Sequence, residues 1–350
     1  MNYSPDEANE RPAQAAGVGV LRSLGLTSHD DVALGDGLYL GRVSIVHGAT
    51  GEVIWCDAEG EESISTCHFS PGLGLRPVAG DWVAMRDGQI VEVLSRRSAL
   101  RRPDPNGRDI QVLAANLDLV LMVVPINRRL NVRMLERFTI MAWESGARPF
   151  AILTKADEAT DVEGALEETR LAVPGVDVLT TSSQSGQGID QLRRLLHEGV
   201  TAVMLGASGA GKTSLLNALE GSDEVTRTVN RSGEGRHATT TRKLYRLRSG
   251  GVLLDIPGIR LLDLMVGQDG VDETFADIGA IASRCRFRDC SHNGDLGCAV
   301  EEAVRTGELP ARRLENYRLI KAELAHQEHR RSPEEMLKQR RRGRPAPKKK

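Results

Sequence analysis

Aromatic side chains make up only 3% of this 350-residue chain. Reading single-stranded bases by serial stacking needs a platform of such rings, so that mode is not expected to dominate. No apolar run approaches the roughly 20 residues that a membrane-crossing helix needs, and no membrane partner is expected. The first residues, MNYSPDEANERPAQ, lack the basic-then-apolar order of a secretory signal, and a cytoplasmic location is expected. Cysteines number five, an odd count that does not suit a disulfide framework. Cys56 and Cys67 stand alone among apolar and small residues, whereas Cys285, Cys290 and Cys298 gather around His292.

What is present fits a soluble globular protein of two or three domains, with 40% hydrophobic and 27% charged residues. The formal net charge of −2 conceals a segregation. From Arg330 to Lys350 the local charge is +8, which leaves −10 on the rest of the chain. A basic tail on an acidic body fits a polyanionic partner such as RNA, or else a disordered solubilising tail.

Changes in hydrophobic period divide the chain. Residues 1–36 show no sustained period and read as a disordered leader, with a short helix near Val18–Leu24. Residues 37–100 carry five short alternating runs bounded by Gly, Asp or Pro, the pattern of an OB-type β-barrel. Such barrels either bind RNA or serve as packing modules. Residues 101–116 read as a basic, Pro-containing linker. From 117 to 265 short apolar strands alternate with amphipathic helices, which predicts an α/β domain with a parallel sheet covered on both faces. Residues 266–332 hold helix candidates at Asp272–Ser283 and Pro310–Arg331 around the Cys/His cluster, and 333–350 is the basic tail.

The α/β segment carries a full P-loop, Gly206-Ala207-Ser208-Gly209-Ala210-Gly211-Lys212-Thr213, between an apolar strand and a helix opening with Ser214. Glycines there let backbone N–H groups turn towards phosphates, aided by the helix dipole. Lys212 is expected on the β- and γ-phosphates and Thr213 on Mg²⁺. Asp255-Ile256-Pro257-Gly258 ends another apolar strand; Asp255 is placed near Mg²⁺ and the Gly258 N–H near the γ-phosphate. Between these motifs lies Gly235-Arg236-His237-Ala238-Thr239-Thr240-Thr241, where Thr239 or Thr240 is the candidate switch hydroxyl for Mg²⁺. Base identity is read from Thr154-Lys155-Ala156-Asp157: the Asp carboxylate can accept both N1–H and N2–H₂ of guanine, a pairing adenine does not offer. Thr154 stands where Asn is more frequent, so one bond to the P-loop region is expected to differ. Ser182 and Ser183, after the next strand, supply a loop whose backbone N–H can meet guanine O6. GTP is therefore favoured over ATP. The base motif precedes the P-loop, the reverse of the usual order, which indicates circular permutation.

Ile259 occupies the place where a hydrolytic Gln is usual, and it cannot orient water. Either the chain only binds GTP as a switch, or another group positions water; His237 is the nearest candidate for a catalytic role. The set Cys285, Cys290, His292 and Cys298 offers three thiolates and an imidazole, a closed tetrahedral shell suited to one structural Zn²⁺. Arg284, Arg286 and Arg288 beside it can face RNA phosphates.

Together, Gly80-Asp81-Trp82-Val83, Gln111-Val112-Leu113-Ala114-Ala115-Asn116-Leu117-Asp118, the P-loop, Asp255–Gly258 and the Cys285–Val300 knuckle resemble the RsgA (YjeQ/YloQ) family over roughly residues 38–317. The resemblance implies an OB-fold, a permuted GTPase domain and a zinc domain. It also implies late maturation of the small (30S) ribosomal subunit, contact with 16S rRNA, and slow GTP hydrolysis stimulated by the subunit. A monomer is expected. His237-Ala238-Thr239-Thr240 departs from the family's more usual His-Thr-Thr-Thr, and the leader and basic tail lie outside the shared pattern. The competing reading is a nucleotide-regulated rRNA-binding scaffold whose hydrolysis is incidental.

Overall fold

The computed structural model describes residues 18–27, 34–35, 37–57, 60–103, 110–221, 243–255 and 267–330. Most of the leader and the segment after Arg330 thus lie outside the described residues. A short helix α1 (Val18–Ser23) precedes strands β1 (Tyr39–His47), β2 (Thr50–Cys56), β3 (Glu62–Phe69), β4 (Trp82–Arg86) and β5 (Gln89–Val93). β1 pairs with β2 and β2 with β3; β3 runs parallel to β5, β5 pairs with β4, and β4 returns to β1. The ring 1-2-3-5-4 is a closed, OB-like barrel, and closure removes the exposed edges that five short strands would otherwise present. Val43, Val53, Cys67, Val83, Met85 and Ile90 fill it.

The stretch read as a linker is paired instead. β6 (Ala99–Pro103) and β7 (Ile110–Ala115) form an antiparallel ribbon, with residues 104–109 outside the described residues. Its Arg and Gln side chains obscured the alternation.

The α/β unit follows as β8 (Leu119–Pro125), α2 (Val132–Ser145), β9 (Arg148–Thr154), α3 (Val162–Ala172), β10 (Asp177–Thr180), α4 (Ile189–Leu195), β11 (Thr201–Leu205), α5 (Lys212–Glu220), β12 (Lys243–Arg246) and β13 (Val252–Asp255). Sheet order is β10-β9-β8-β11-β13-β12, parallel except for β12. Alternate residues of β8 explain its unbroken apolar run. Leu119, Leu121 and Val123 pack with Leu192 and Leu215 on one face, while Val120, Met122 and Val124 pack with Leu135 and Phe138 on the other. Both faces are covered, so no polar phase survives in the strand.

Barrel and sheet meet where β1 pairs with β12 at Ile45 and Lys243. Arg42 is fully buried there and donates to the Thr201 hydroxyl at 2.9 Å, to the Asn116 carbonyl at 3.1 Å and to the Leu24 carbonyl. Asn116 in turn donates to the Gly80 carbonyl at 3.1 Å, and Asp118 accepts the Thr201 N–H at 2.7 Å. The Gly80–Val83 and Ala114–Asp118 motifs are thus the joint that fixes the barrel to the base of the P-loop strand.

The C-terminal module comprises α6 (Gln268–Thr274), α7 (Ala276–Ala282), α8 (Ala299–Thr306) and α9 (Ala311–Arg330). One helix was expected over Asp272–Ser283; the chain bends at Phe275, whose buried ring packs edge-on against Tyr317 at 5.3 Å. Helix α8 was not anticipated. It begins on the knuckle itself, with the Cys298 sulfur accepting the Glu301 N–H at 3.4 Å.

Candidate nucleotide site and metal knuckle

Because β8, β9, β10, β11 and β13 are parallel, their C-terminal ends open on one edge of the sheet, where α/β folds bind ligands. Leu205 aligns with Met122, and Thr154 with Pro125, so the P-loop and base motif leave from strands separated only by β8. The permutation rearranges the chain order without disturbing this gathering.

The loop after β11 turns into α5 with Gly209 and Gly211 at φ 75° and 95°. At Gly206 a Cβ would lie 2.5 Å from the Val123 carbonyl oxygen, so only glycine lets the loop leave the sheet this closely. Lys212 donates from Nζ to the Gly206 and Ala207 carbonyls at 2.7 and 3.1 Å, curling over the loop it would share with phosphates. Ala207 is half-buried and Ser208 exposed; Thr213 and Ser214 are exposed at the helix mouth.

The base motif is tied directly to that loop. Thr154, 3% exposed, donates its hydroxyl to the Ala210 carbonyl at 2.6 Å. The expected difference from Asn is therefore one of donor chemistry, a single hydroxyl on the P-loop backbone. Lys155 adopts φ 62°, which turns the chain sharply so that buried Ala156 anchors it while Asp157 is exposed. The Ala156 N–H donates to the Thr181 carbonyl at 3.2 Å, which brings in the second loop. There the fully buried Ser182 donates its N–H to Gln187, and its hydroxyl accepts the N–H groups of Gln184 and Ser185 at 3.2 and 3.1 Å. The Ser183 N–H is not among these donors. That ordering role of the Ser182 hydroxyl was not read from the sequence, though a Ser two residues ahead of the N–H it holds is its usual signal.

The Asp255 backbone ends β13. His237, Thr239, Thr240, Gly258 and Ile259 lie outside the described residues.

Cys285, Cys290, His292 and Cys298 place their ligand atoms within 4.8 Å of one another. His292 Nδ1 is 3.5 Å from the Cys298 sulfur and 3.7 Å from that of Cys285. Burial and the neighbouring Cys298 and Cys285 sulfurs push the Cys290 thiol up to about 12. Burial likewise lowers His292. Three crowded thiols with a neutral imidazole make a donor set that a divalent soft cation relieves, and the set fits Zn²⁺. His292 takes φ 53°, and Arg318 of α9 donates to its carbonyl while pairing with Glu301 at 2.6 Å. Asp295 accepts the Ser291 N–H and hydroxyl at 2.8 and 2.7 Å, bonds that hold its carboxyl below the usual range. Neither support was foreseen. Arg284 pairs with Glu308 at 2.7 Å and Arg286 lies 5.4 Å from the Phe287 ring centre, so these two arginines have protein partners.

A mainly parallel sheet whose P-loop is bonded to the upstream Thr154–Asp157 loop marks a P-loop nucleotide-binding protein with circularly permuted motif order. The sequence profile of the RsgA GTPase family matches residues 93–265. The Streptomyces avermitilis protein named small ribosomal subunit biogenesis GTPase RsgA is 43% identical over 296 residues, covering 81% of this chain and 79% of that one. Its namesake from Methanosarcina acetivorans is 38% identical over 301 residues, covering 83% and 81%. The crystal structure of YjeQ from Thermotoga maritima superposes with a TM-score of 0.60 at 26% identity, covering 82% of this chain and 99% of that one. YloQ, a circularly permuted GTPase, shares the fold with a TM-score of 0.58 at 23% identity, covering 86% and 98%. The chain belongs to the RsgA GTPase family. It is a ribosome-biogenesis GTPase, an enzyme that hydrolyses GTP and, as that family implies, works with Mg²⁺. No helix among the described residues is long and apolar enough to cross a membrane.

Proposed function

We propose that the chain hydrolyses GTP to time a late step in maturation of the small ribosomal subunit, and that the subunit stimulates its turnover. The domains are a barrel over 37–100, a GTPase domain over 117–265 and a zinc-holding helical module over 266–332. The observation that carries the reading is the Thr154 hydroxyl on the Ala210 carbonyl, which joins the base loop to the P-loop in a permuted chain.

In this reading Asp157 accepts the two guanine donors, the Lys155 stem lies along the base and the Ser183 N–H meets O6. Gly206, Ala207, Ser208, Gly209, Ala210 and Gly211 turn backbone N–H groups to the phosphates. On binding, Lys212 exchanges its two carbonyl acceptors for phosphate oxygens. Thr213, Asp255 and either Thr239 or Thr240 would hold Mg²⁺, which supplies charge neutralisation at the phosphates. With Ile259 unable to orient water, His237 takes that role. One Zn²⁺ held by Cys285, Cys290, His292 and Cys298 is structural, because four protein ligands leave no open position. The partner is 16S rRNA within the subunit, the protein acts as a monomer, and its location is cytoplasmic.

GTP turnover with and without purified small subunits tests this. Stimulation of about tenfold or more is expected, given that partner-supplied groups raise such rates by 10³ or more in other GTPases. Equal rates would instead favour the scaffold reading, which Ile259 supports. Stimulation that survives His237→Ala would remove that residue from the mechanism.

A further inference from the structure

The Cys/His module is seated on the GTPase domain through a buried seam. Helix α9 lies against α2 and α3, and Arg313 stands at the centre of the contact, 4% exposed. Its planar fork has five N–H groups, and each finds an acceptor. Within the module, Asp277 of α7 takes two of them at 2.6 and 2.7 Å, and the Thr274 carbonyl at the end of α6 takes a third at 2.7 Å. The other two cross to the GTPase domain. One meets the Ala172 carbonyl, at the end of α3, at 2.5 Å; the other meets Glu136 of α2 at 3.3 Å. The guanidinium also lies 4.6 Å from the Phe275 ring centre. Lysine, with three donors and no plane, cannot reproduce this set.

The rest of the seam holds the geometry. Glu136, 1% exposed, accepts from Asn316 at 2.8 Å on its second oxygen. Arg312 pairs with Glu168 of α3 at 3.0 Å. Helix α6 lies so close to α2 that a Cβ on Gly270 would sit 2.5 Å from the Ile140 carbonyl oxygen, and the Gly270 N–H donates to Glu144 at 2.6 Å. Beside the latch lies a cavity of about 130 Å³ lined by Val132, Leu171, Pro310 and Arg312.

Helix α3 connects this seam to the base loop. Asp161 caps it, accepting the Gly164 N–H at 2.8 Å, only four residues after Asp157. Eleven residues make a stiff rod of about 16 Å, gripped by the module at one end and carrying the base motif at the other. We infer that Arg313 is a latch through which the Cys/His module sets the position of the guanine-reading loop and hence how long nucleotide is retained. This rests on the assignment of Thr154–Asp157 to guanine. It gives the module a route to the nucleotide separate from the segment after Asp255. Arg313 acts through α3 and is a positioning residue.

Release of a fluorescent GDP analogue from the full-length chain tests the latch, with hydrogen exchange followed in α3. Arg313→Met is expected to speed release about fivefold or more, as an interaction of ordinary coupling strength would, and to raise exchange over 162–172. It should raise KM for GTP more than it changes kcat. Arg313→Lys should fall between, and Arg312→Ala, which loses the half-exposed pair with Glu168, should speed release far less than Arg313→Met. Native release in Arg313→Met, with exchange in α6 and α7 raised, would overturn the latch. If Arg313→Met does not fold, Asp277→Asn, which weakens the seat of the fork, should still speed release, and native release there overturns the latch equally. Asp157→Asn separates the two readings: unchanged GDP affinity in that chain removes the guanine assignment, whereas lost affinity beside native release in Arg313→Met removes only the latch.

Discussion

Replacing Glu136 by Gln should change how the stability of the module's seat depends on pH. Burial raises the Glu136 carboxyl from its ordinary 4.5 to about 7, with Arg313 and the Asn316 amide offsetting part of the cost. A carboxyl raised in this way favours the folded state while it keeps its proton. Its contribution is therefore fully present below about pH 4.5 and is lost as pH rises through about 7. A shift of that size corresponds to about 3 kcal/mol across the window. Glutamine keeps the shape and the acceptor for Arg313 but cannot ionise. The Glu136→Gln chain should thus gain about 2–3 kcal/mol relative to the native chain between pH 5 and pH 8, while other titrating groups cancel in the difference. Denaturant unfolding at each pH measures it, read from Trp143, which lies on α2 two turns beyond Glu136. Parallel stability profiles for the two chains from pH 5 to 8 would refute the argument.

Thr154→Val should retain the fold and weaken GDP and GTP binding about tenfold, since it removes a buried hydroxyl bond worth roughly 1–2 kcal/mol; calorimetry on both nucleotides checks it. Asp157→Asn should cost guanine nucleotides about 2–4 kcal/mol and recover much of that with xanthine nucleotides, whose C2 carbonyl accepts from the new amide. Unaltered preference for guanine in a competition assay would show that another group reads the base. Metal analysis should find one zinc per chain, falling well below one in Cys290→Ser; a native chain free of zinc after purification under non-chelating conditions would contradict the knuckle assignment.

The P-loop, the Thr154–Asp157 motif and the Cys/His spacing were legible because each is a local pattern whose chemistry depends on residues a few positions apart. The same holds for β11, α2 and the continuous apolar run of β8, where period and composition suffice. Boundaries failed where a tertiary contact overrode the local pattern. The α6–α7 break exists because Phe275 turns its ring inward onto Tyr317, and the β6–β7 ribbon pairs across residues that read as a charged linker. Helix α8 is short and is capped by Cys298, so its first signal is a cysteine of the Cys/His cluster.

The sequence by itself determined the inverted order of base motif and phosphate loop, since order is a property of the chain. It also named the candidates for meeting guanine, phosphate and zinc: Thr154–Asp157, Gly206–Thr213 and the Cys/His set. Only the tertiary structure decided how those pieces are joined: Thr154 to Ala210, Arg42 to Thr201, and Arg313 to both Glu136 and Ala172. These contacts connect residues 56, 159, 177 and 141 positions apart in the chain. No periodicity or motif spans such separations, because packing in space sets them.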